Sequence, residues 1–149
     1  YRFMIYKRKC EIYRKKTITL PLFLFYRLIF QCCKILYLTD IPASVEIGKG
    51  FKIEHLGNIV INPRVKIGEN VTILNGVLIG QQNRGINKGC PTIGDKVWIG
   101  AHVHILKGVN ILDNSVIAYR TLLTISFNEP NPIIGGAANR ILKKNIIWK

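Results

Sequence analysis

Isoleucine recurs at every sixth position through the middle of this chain. A second, mostly apolar series follows four residues behind the first. A period of six matches neither an α-helix nor an amphipathic strand, whose side chains repeat every 3.6 and every two residues. The pattern instead predicts short strands joined by tight turns, with three hexapeptides forming one triangular coil. The first series is Ile41, Ile47, Ile53, Ile61, Ile67, Ile73, Ile79, Ile93, Ile99, Ile105, Ile111 and Ile117, followed by Leu123, and the second is Val45, Phe51, Val65, Val71, Val77, Val97, Val103, Val109, Ser115 and Thr121.

Glycine often follows the leading isoleucine, as at Gly48, Gly68 and Gly94, where it relieves backbone strain at a bend. Each coil can bury its apolar edge only against the next coil, so stacking provides the stability. The repeat therefore predicts an all-β, single-stranded parallel β-helix from Ile41 to Thr121.

The count of six fails at two places inside the repeat. The step from Ile53 to Ile61 is eight residues, which inserts two residues around His55. The step from Ile79 to Ile93 is fourteen residues, which extrudes a polar loop over residues 81–92. Departures from period in a regular solenoid are where binding and catalytic residues are expected.

The chain before the repeat has a different texture. Residues 1–16 contain seven Lys or Arg against the single acid Glu11, and residues 17–38 are mostly apolar. Pro21 suits a helix start, so we predict an amphipathic helix from about Pro21 to Tyr37, too interrupted by Arg27 and Lys34 to span a membrane. Two interpretations of its apolar surface remain open: it caps the β-helix or packs on a partner subunit, or it lies on a membrane surface together with the basic residues. The predicted division is residues 1–39 (basic arm and helix), 40–127 (β-helix) and 128–149 (C-terminal tail).

Charge and cysteine content restrict the partners and the compartment. The formal net charge is +14, from 22 basic and 8 acidic residues, which favours polyanionic partners. No nucleic-acid-binding motif is present, so no specific nucleic-acid partner is predicted. The four cysteines follow no zinc or disulfide pattern, which indicates reduced thiols and a cytoplasmic location. The sequence begins with Tyr1 rather than Met, and no signal peptide is visible.

His55 and Asp40 are the first candidates for chemistry. An imidazole with an ordinary pKa near 6.5 takes a proton from a hydroxyl at cellular pH. Asp40 precedes His55 by fifteen residues, close to one coil, so that its carboxylate would lie beside the ring and orient it. The alternative is a surface histidine in a turn and an aspartate at the end of a helix. Spacing alone does not decide between them.

The motifs around these residues resemble a known family. The segment from Asp40 to Ile61, which contains Glu54-His55, is similar to the active-site segment of serine O-acetyltransferases, and still more similar to related enzymes that acetylate surface polysaccharides. Pro91-Thr-Ile-Gly-Asp-Lys-Val-Trp-Ile-Gly-Ala101 resembles the strongest signature of the hexapeptide-repeat acyltransferase superfamily. The resemblance covers about residues 40–142. It implies the left hand of the β-helix, a homotrimer, and acetyl-CoA bound in the groove between neighbouring β-helices, with no metal.

The resemblance also assigns roles to individual residues. His55 would be the general base and Asp40 its orienting partner, while Glu54 would contact the acceptor. Backbone N–H groups near Gly80 would stabilise the oxyanion. The acceptor would attack the thioester directly, without an acyl-enzyme. Further residues implied to contact the cofactor are Gly100, Ala101, Ala118, Arg120 and Arg140.

Two departures from the family pattern change the expected substrate. Serine-specific members carry an Arg-His pair where this chain has Gly89 and Cys90, so the clamp for an amino-acid carboxylate is missing. This favours a saccharide hydroxyl as acceptor, although Arg84 or Lys88 would be able to replace the clamp. Cys90 is a candidate substrate contact, and nothing in the sequence supports it as a nucleophile.

The C-terminal motifs are also altered. The family's Gly-Ala-Gly is Ala118-Tyr119-Arg120 here, and its Gly-x-Pro-x-Arg is 136–140, with Ala138 in place of proline. Tyr119 and Arg120 would either crowd the thioester arm or, for Arg120, hold a phosphate of the cofactor. Lys143 and Lys144 are further phosphate candidates, with a solvated basic tail as the alternative.

His102 and His104 are expected to face outward on one side of a strand, without a third ligand for a metal. The sequence thus favours an acetyl-CoA-dependent O-acetyltransferase of saccharides. A serine O-acetyltransferase and a catalytically degenerate β-helix scaffold are the alternatives.

Overall fold

The computed structural model describes residues 2–14, 20–86, 88–136 and 140–143. Two helices precede the repeat: α1 spans Arg2–Tyr13 and α2 spans Leu20–Leu36. The predicted helix at residues 21–37 is confirmed within one residue at each end. Helix α1 was not predicted, because the first sixteen residues were assigned only as a basic arm.

Within the described residues, fifteen short strands follow in chain order, and three sheets, parallel except at β15, form the faces of a left-handed parallel β-helix. The first sheet contains β1, β4, β7, β10 and β13, the second contains β2, β5, β8 and β11, and the third contains β3, β6, β9, β12, β14 and β15. The strands are β1 Thr39–Asp40, β2 Glu46–Ile47, β3 Lys52–Ile53, β4 Ile59–Ile61, β5 Lys66–Ile67, β6 Thr72–Ile73, β7 Leu78–Ile79, β8 Thr92–Ile93, β9 Trp98–Ile99, β10 His104–Ile105, β11 Asn110–Ile111, β12 Val116–Ile117, β13 Leu122–Leu123, β14 Ile133–Gly135 and β15 Arg140–Lys143.

The leading isoleucines stack in register from coil to coil. Ile47 lies opposite Ile67, which in turn lies opposite Ile93. Every leading position is buried except Ile53, which is partly buried, and the second series is buried apart from Phe51. The hexapeptide repeat therefore predicted the core correctly. The leading residue at the end of each strand points inward, and these side chains fill the interior of each coil.

Two conformational requirements explain the small residues at the bends. Asn70 has a φ of 55° in the left-handed region, which asparagine tolerates better than most residues. A Cβ on Gly68 would lie 2.6 Å from the Gly94 carbonyl oxygen of the next coil. Glycine is thus required where successive coils approach most closely.

Helix α1 covers the open N-terminal end of the β-helix. The first coil has backbone carbonyls that no preceding coil can reach, and side chains of α1 donate hydrogen bonds to them. Lys7 Nζ donates to Val45 O at 2.9 Å, and Arg8 donates to Ile47 O and to Gly48 O, each at 2.6 Å. Helix α2 is tied to α1 by the rings of Phe3 and Phe30, whose centroids are 5.0 Å apart. Helix α1, which was not predicted, thus caps the first coil, and both interpretations of the apolar surface of α2 stay predictions.

The C-terminal end differs from the sequence-based expectation. The repeat was predicted to end near residue 127, with a tail beyond it. Instead, β14 pairs in parallel with β12, and β15 pairs antiparallel with β14. The chain between β13 and β14 contributes no strand to the second sheet. This interrupts the period of six, so the sequence pattern does not predict the rung that β14 forms on β12.

Candidate active site

The first break in the repeat forms the bend between β3 and β4. Glu54 and His55 lie on this bend, and both are exposed. Lys52 donates to Glu54 Oε1 at 2.6 Å, so Glu54 already has a cationic neighbour. Within the described parts of the chain, His55 has no hydrogen-bond partner. Its imidazole is therefore free to accept a proton from an external hydroxyl.

Asp40 ends β1 and lies opposite Val60 of β4. Its carboxylate pairs with Lys34 Nζ, 2.6 Å away, in the last turn of α2. Among the described residues, no hydrogen bond joins Asp40 to His55. The carboxylate of Asp40 is instead paired with the ammonium of Lys34, because helix α2 leads directly into β1. The assignment of Asp40 as orienting partner of His55 stays a prediction.

The bends that join the third sheet to the first sheet form one continuous corner of the β-helix, which we call the His55 corner. It contains residues 54–58, 74–77, 100–103 and 118–121. Backbone hydrogen bonds join its levels: Gly76 N–H donates to Gly57 O, His102 N–H to Asn75 O and Arg120 N–H to Ala101 O, each at 2.9 Å. The structure thus brings His55 onto the same edge as four residues predicted to contact the cofactor, namely Gly100, Ala101, Ala118 and Arg120.

Small residues line the middle of this corner. Gly100 is buried, and a Cβ there would lie 2.8 Å from the Tyr119 backbone nitrogen. Its glycine is thus explained by close packing of two coils, whether or not a cofactor lies against it. Tyr119 is 73% exposed, and Arg120, with a φ of 54°, is exposed beside it. Both side chains are therefore accessible to solvent at this corner.

The second break forms a hairpin between β7 and β8. Gln82 and Gly89 exchange two backbone hydrogen bonds of 3.0 and 2.9 Å across it. Arg84, Lys88 and the large apolar Ile86 are exposed on the hairpin. This extruded loop therefore presents both cationic and apolar contacts to whatever lies outside the chain.

Cys90 lies at the base of the hairpin and is partly buried. Its Sγ is 3.5 Å from Asn62 Oδ1, and burial raises the pKa of the thiol. A raised pKa lowers the thiolate fraction at neutral pH, so the setting is unfavourable for a nucleophile.

The two breaks lie on opposite edges of the first sheet. His55 precedes β4, whereas the extruded loop follows β7 of the same sheet. One chain therefore does not bring Arg84, Lys88 or Cys90 together with His55. Gly80, at the start of the loop, donates its N–H to Ile105 O at 2.8 Å. That donor is part of the ladder, and Gln81 provides the nearest N–H without a partner among the described residues.

Three further predictions fall near the C-terminal half. Arg140 begins β15 opposite Gly135. The side chains of Arg140 and Lys143 lie outside the described part of the structure, and so does the whole of Lys144. His104 is exposed on β10, but His102 lies in a bend with a φ of 57°, so the two do not share one strand face as predicted. The described residues contain no group of three His, Cys, Asp or Glu side chains positioned for a metal.

Some contacts of the site carried no signal in the sequence. Lys34 was noted only as a charge that interrupts an apolar run, and Asn62 lies at an ordinary bend. Their partners, Asp40 and Cys90, are six and twenty-eight residues away. The docking of α2 and the stacking of coils create these contacts, and no local pattern predicts them.

Comparison with known proteins identifies relatives of this chain. Residues 90–124 match the family model described as bacterial transferase hexapeptide (six repeats). The putative colanic acid biosynthesis acetyltransferase WcaB of Escherichia coli K12 is 39% identical over 108 residues, which are 68% of this chain and 64% of that protein. This chain belongs to the hexapeptide-repeat acyltransferase superfamily. A serine acetyltransferase of Staphylococcus xylosus is 31% identical over 125 residues, 84% of this chain and 56% of the relative. The chain thus spans less than two thirds of the length of these superfamily relatives.

Solved structures of superfamily members share the fold. Soybean serine acetyltransferase in complex with serine aligns with a TM-score of 0.71 at 26% identity, covering 92% of this chain and 54% of that chain. Serine acetyltransferase of Brucella abortus in complex with coenzyme A aligns with a TM-score of 0.80 at 22% identity, covering 97% and 56%. At that identity the second likeness supports the fold alone.

Proposed function

We propose that this chain is an acetyl-CoA-dependent O-acetyltransferase whose acceptor is a hydroxyl of a saccharide, such as a capsular polysaccharide or exopolysaccharide unit. The observation that carries the proposal is the His55 corner, where an unpartnered imidazole and the small residues Gly100, Ala101 and Ala118 share one edge. Neighbouring strands of a sheet, and so successive coils of the β-helix, lie about 4.8 Å apart. His55 and Ala118 are three coils apart, which places them about 14 Å from each other along the edge. An extended thioester arm lying along this edge would reach the imidazole.

His55 then performs general base catalysis. Its imidazole accepts the proton of the acceptor hydroxyl as the oxygen attacks the thioester carbonyl carbon. The carbon–sulfur bond breaks, and the imidazolium returns the proton to the departing thiolate. Binding both substrates beside His55 supplies proximity, and the N–H of Gln81 on the extruded loop of a neighbouring copy, next to Gly80, is the available donor for the oxyanion. No acyl-enzyme forms, which agrees with the raised pKa of Cys90.

The acceptor is proposed to be a saccharide because the carboxylate clamp of serine-specific relatives is replaced by Gly89 and Cys90. The greater identity to WcaB than to the serine acetyltransferase supports the same choice. L-serine is the alternative acceptor, since Arg84 and Lys88 on the exposed hairpin supply cations. A scaffold without activity is the second alternative, motivated by Tyr119 and Arg120 at the cofactor edge.

We further propose a homotrimer in the cytoplasm. The His55 corner of one copy would lie against the extruded loop of its neighbour, which would unite the two breaks that one chain holds apart. Arg120 and Arg140 would then face the phosphates of the cofactor as point charges. The four cysteines are free thiols, which supports a reducing compartment.

The test is release of free thiol from acetyl-CoA in the presence of saccharide acceptors or L-serine. We expect turnover with saccharides, and a loss of about 10²- to 10⁴-fold in kcat for His55→Ala, the usual contribution of a general base. Turnover that survives in His55→Ala would refute the mechanism. Calorimetry with acetyl-CoA is the control: retained binding by the variant separates lost chemistry from lost folding, and no binding by the wild type favours the scaffold.

A further inference from the structure

One side of helix α2 is apolar and exposed along its whole length. With 100° of rotation per residue, its exposed apolar residues fall within an arc of about 160°, apart from Leu22, which lies about 40° beyond it. Ile35 and Leu36 are 72% and 73% exposed, and no charged side chain lies within the arc, where Gln31 is the one polar residue near the margin. We call this surface the apolar arc: Leu20, Pro21, Leu24, Phe25, Leu28, Cys32, Ile35 and Leu36.

The opposite side of α2 already has its partners. Phe30 is buried against Phe3, and Tyr26 stacks on Tyr13 with ring centroids 5.5 Å apart. Packing on α1 and the first coil therefore does not account for the apolar arc. A contiguous exposed apolar surface of this kind marks a site of contact with a protein or a membrane.

Cations border the apolar arc. A cleft of about 700 Å³ lies between the two helices and the first coil, and its lining includes Arg14, Arg27 and Lys34. The carboxylates in this cleft have partners elsewhere: Glu11 pairs with Lys7 and Arg8, and Glu46 with Lys66. No described carboxylate forms an ion pair with Arg14 or Arg27, so both guanidinium groups remain available to an external anion.

The charge of the whole region decides between the two kinds of partner. Residues 1–38 contain nine Lys or Arg against Glu11 alone. A second copy of the chain would bring the same positive charge to the same face, which opposes pairing there. An anionic bilayer is complementary to both features, since it accepts apolar side chains below the headgroups and presents phosphates at their level.

We propose that the apolar arc of α2 docks onto a phospholipid surface rich in anionic lipids, with Arg14 and Arg27 contacting lipid phosphates at its margin. The helix then lies parallel to the surface, with its buried side still packed on α1. Neither described helix combines the length and apolar character needed to cross a bilayer. Docking is independent of acetyl transfer, because no residue of the His55 corner takes part in it.

Sedimentation of the full chain with vesicles tests this proposal. We expect binding to phosphatidylcholine vesicles that contain phosphatidylglycerol, weak binding to pure phosphatidylcholine, and release at high salt, since counterions screen exposed charges. Leu28→Gln with Ile35→Gln should weaken binding roughly ten-fold or more, because two side chains no longer leave water. The matched control is Leu122→Gln with Ile125→Gln, which replaces two exposed apolar residues on the fifth coil.

A second pair of variants tests the cations. Arg14→Gln and Arg27→Gln should each weaken binding to anionic vesicles roughly five-fold, the usual effect of one basic residue near such a surface. Lys34 is left unchanged because it pairs with Asp40. The control is Lys96→Asn, which removes one exposed charge and places asparagine at a bend where neighbouring coils carry Asn70 and Asn114, also with positive φ.

Three outcomes would overturn the proposal: wild-type protein that stays in the supernatant with anionic vesicles, equal losses in the control variants, or a particle mass that falls when Leu28 and Ile35 are replaced. The last outcome would assign the apolar arc to contact between copies. Circular dichroism of each variant verifies folding. Thiol release with a soluble acceptor is measured in parallel, so that failure of docking and failure of the proposed activity are distinguished.

Discussion

Lys7 is fully buried between α1 and the first coil, although it carries a charge. Its ammonium donates to Val45 O and pairs with Glu11. Desolvation by burial lowers the pKa of Lys7, and the neighbouring Glu11 only partly offsets this. Lys7 thus donates a hydrogen bond to a carbonyl that would otherwise be buried without a donor. Its ammonium loses its hydration in doing so, which costs free energy.

The lowered pKa makes this contribution depend on pH. Between the folded pKa and the ordinary lysine value of 10.5, the unfolded chain binds the proton that the folded chain has lost, so Lys7 adds stability as pH rises. We expect Lys7→Met to be less stable by about 1–3 kcal/mol at neutral pH, because Val45 O loses its donor. The difference from wild type should widen towards pH 10.5 in urea unfolding. A difference that narrows over this range would contradict the assigned direction of the pKa shift.

Cys90 allows a second test at this scale. Because burial raises the pKa of its thiol, Cys90 should react with iodoacetamide more slowly than the exposed Cys32 at neutral pH. Cys90→Ser should keep acetyl transfer within about three-fold of wild type, since a nucleophile would instead account for several orders of magnitude. Mass spectrometry of the modified peptides and the thiol-release rate provide the two measurements.

At the scale of elements, the sequence predicts strands far better than it predicts their surroundings. The leading isoleucines identify the inward positions because every coil has the same interior to fill with side chains at the same positions. Helix α1 escapes prediction because its buried side, Phe3, Lys7 and Cys10, includes a lysine that interrupts the apolar pattern. The rung formed by β14 escapes prediction because no strand of the second sheet lies between β13 and β14. The Lys34–Asp40 pair depends on helix docking, which no local period encodes.

The extruded loop provides the prediction for this scale. Replacing residues 80–91 with the bend of the preceding coil, Asn62–Val65, should leave the fold intact. In the described structure, the backbone groups of Gln82 and Gly89 bond only to each other. The replacing residues can take over the ladder bonds of Gly80 and Pro91, as Asn62 N–H already bonds to Ile79 O of the next coil. Acetyl transfer should nevertheless fall below detection if the loop contacts the acceptor. Thermal melting and thiol release together test this expectation, and a stable variant with full activity would remove the loop from the site.

For the molecule as a whole, assembly is the property that the proposed site requires. His55 and the extruded loop border opposite edges of the first sheet, so they can meet only across two copies. Light scattering should give a mass close to three times the 17.0 kDa of one chain. A monomer with full activity would contradict the shared site. Mixing inactive His55→Ala with an inactive loop-replacement variant should restore part of the activity, since some grooves then receive one intact half from each.

The ends of the β-helix determine how far it can grow. Ile67 O accepts the N–H of Gly48 from the coil before it, and Ile47 O would accept in the same way from any incoming strand, were it not occupied by Arg8. At the other end, the antiparallel β15 reverses direction on β14. Stacked parallel rungs with open ends are templates for fibrous growth. Segments of the same chain therefore block further stacking at both ends of the β-helix.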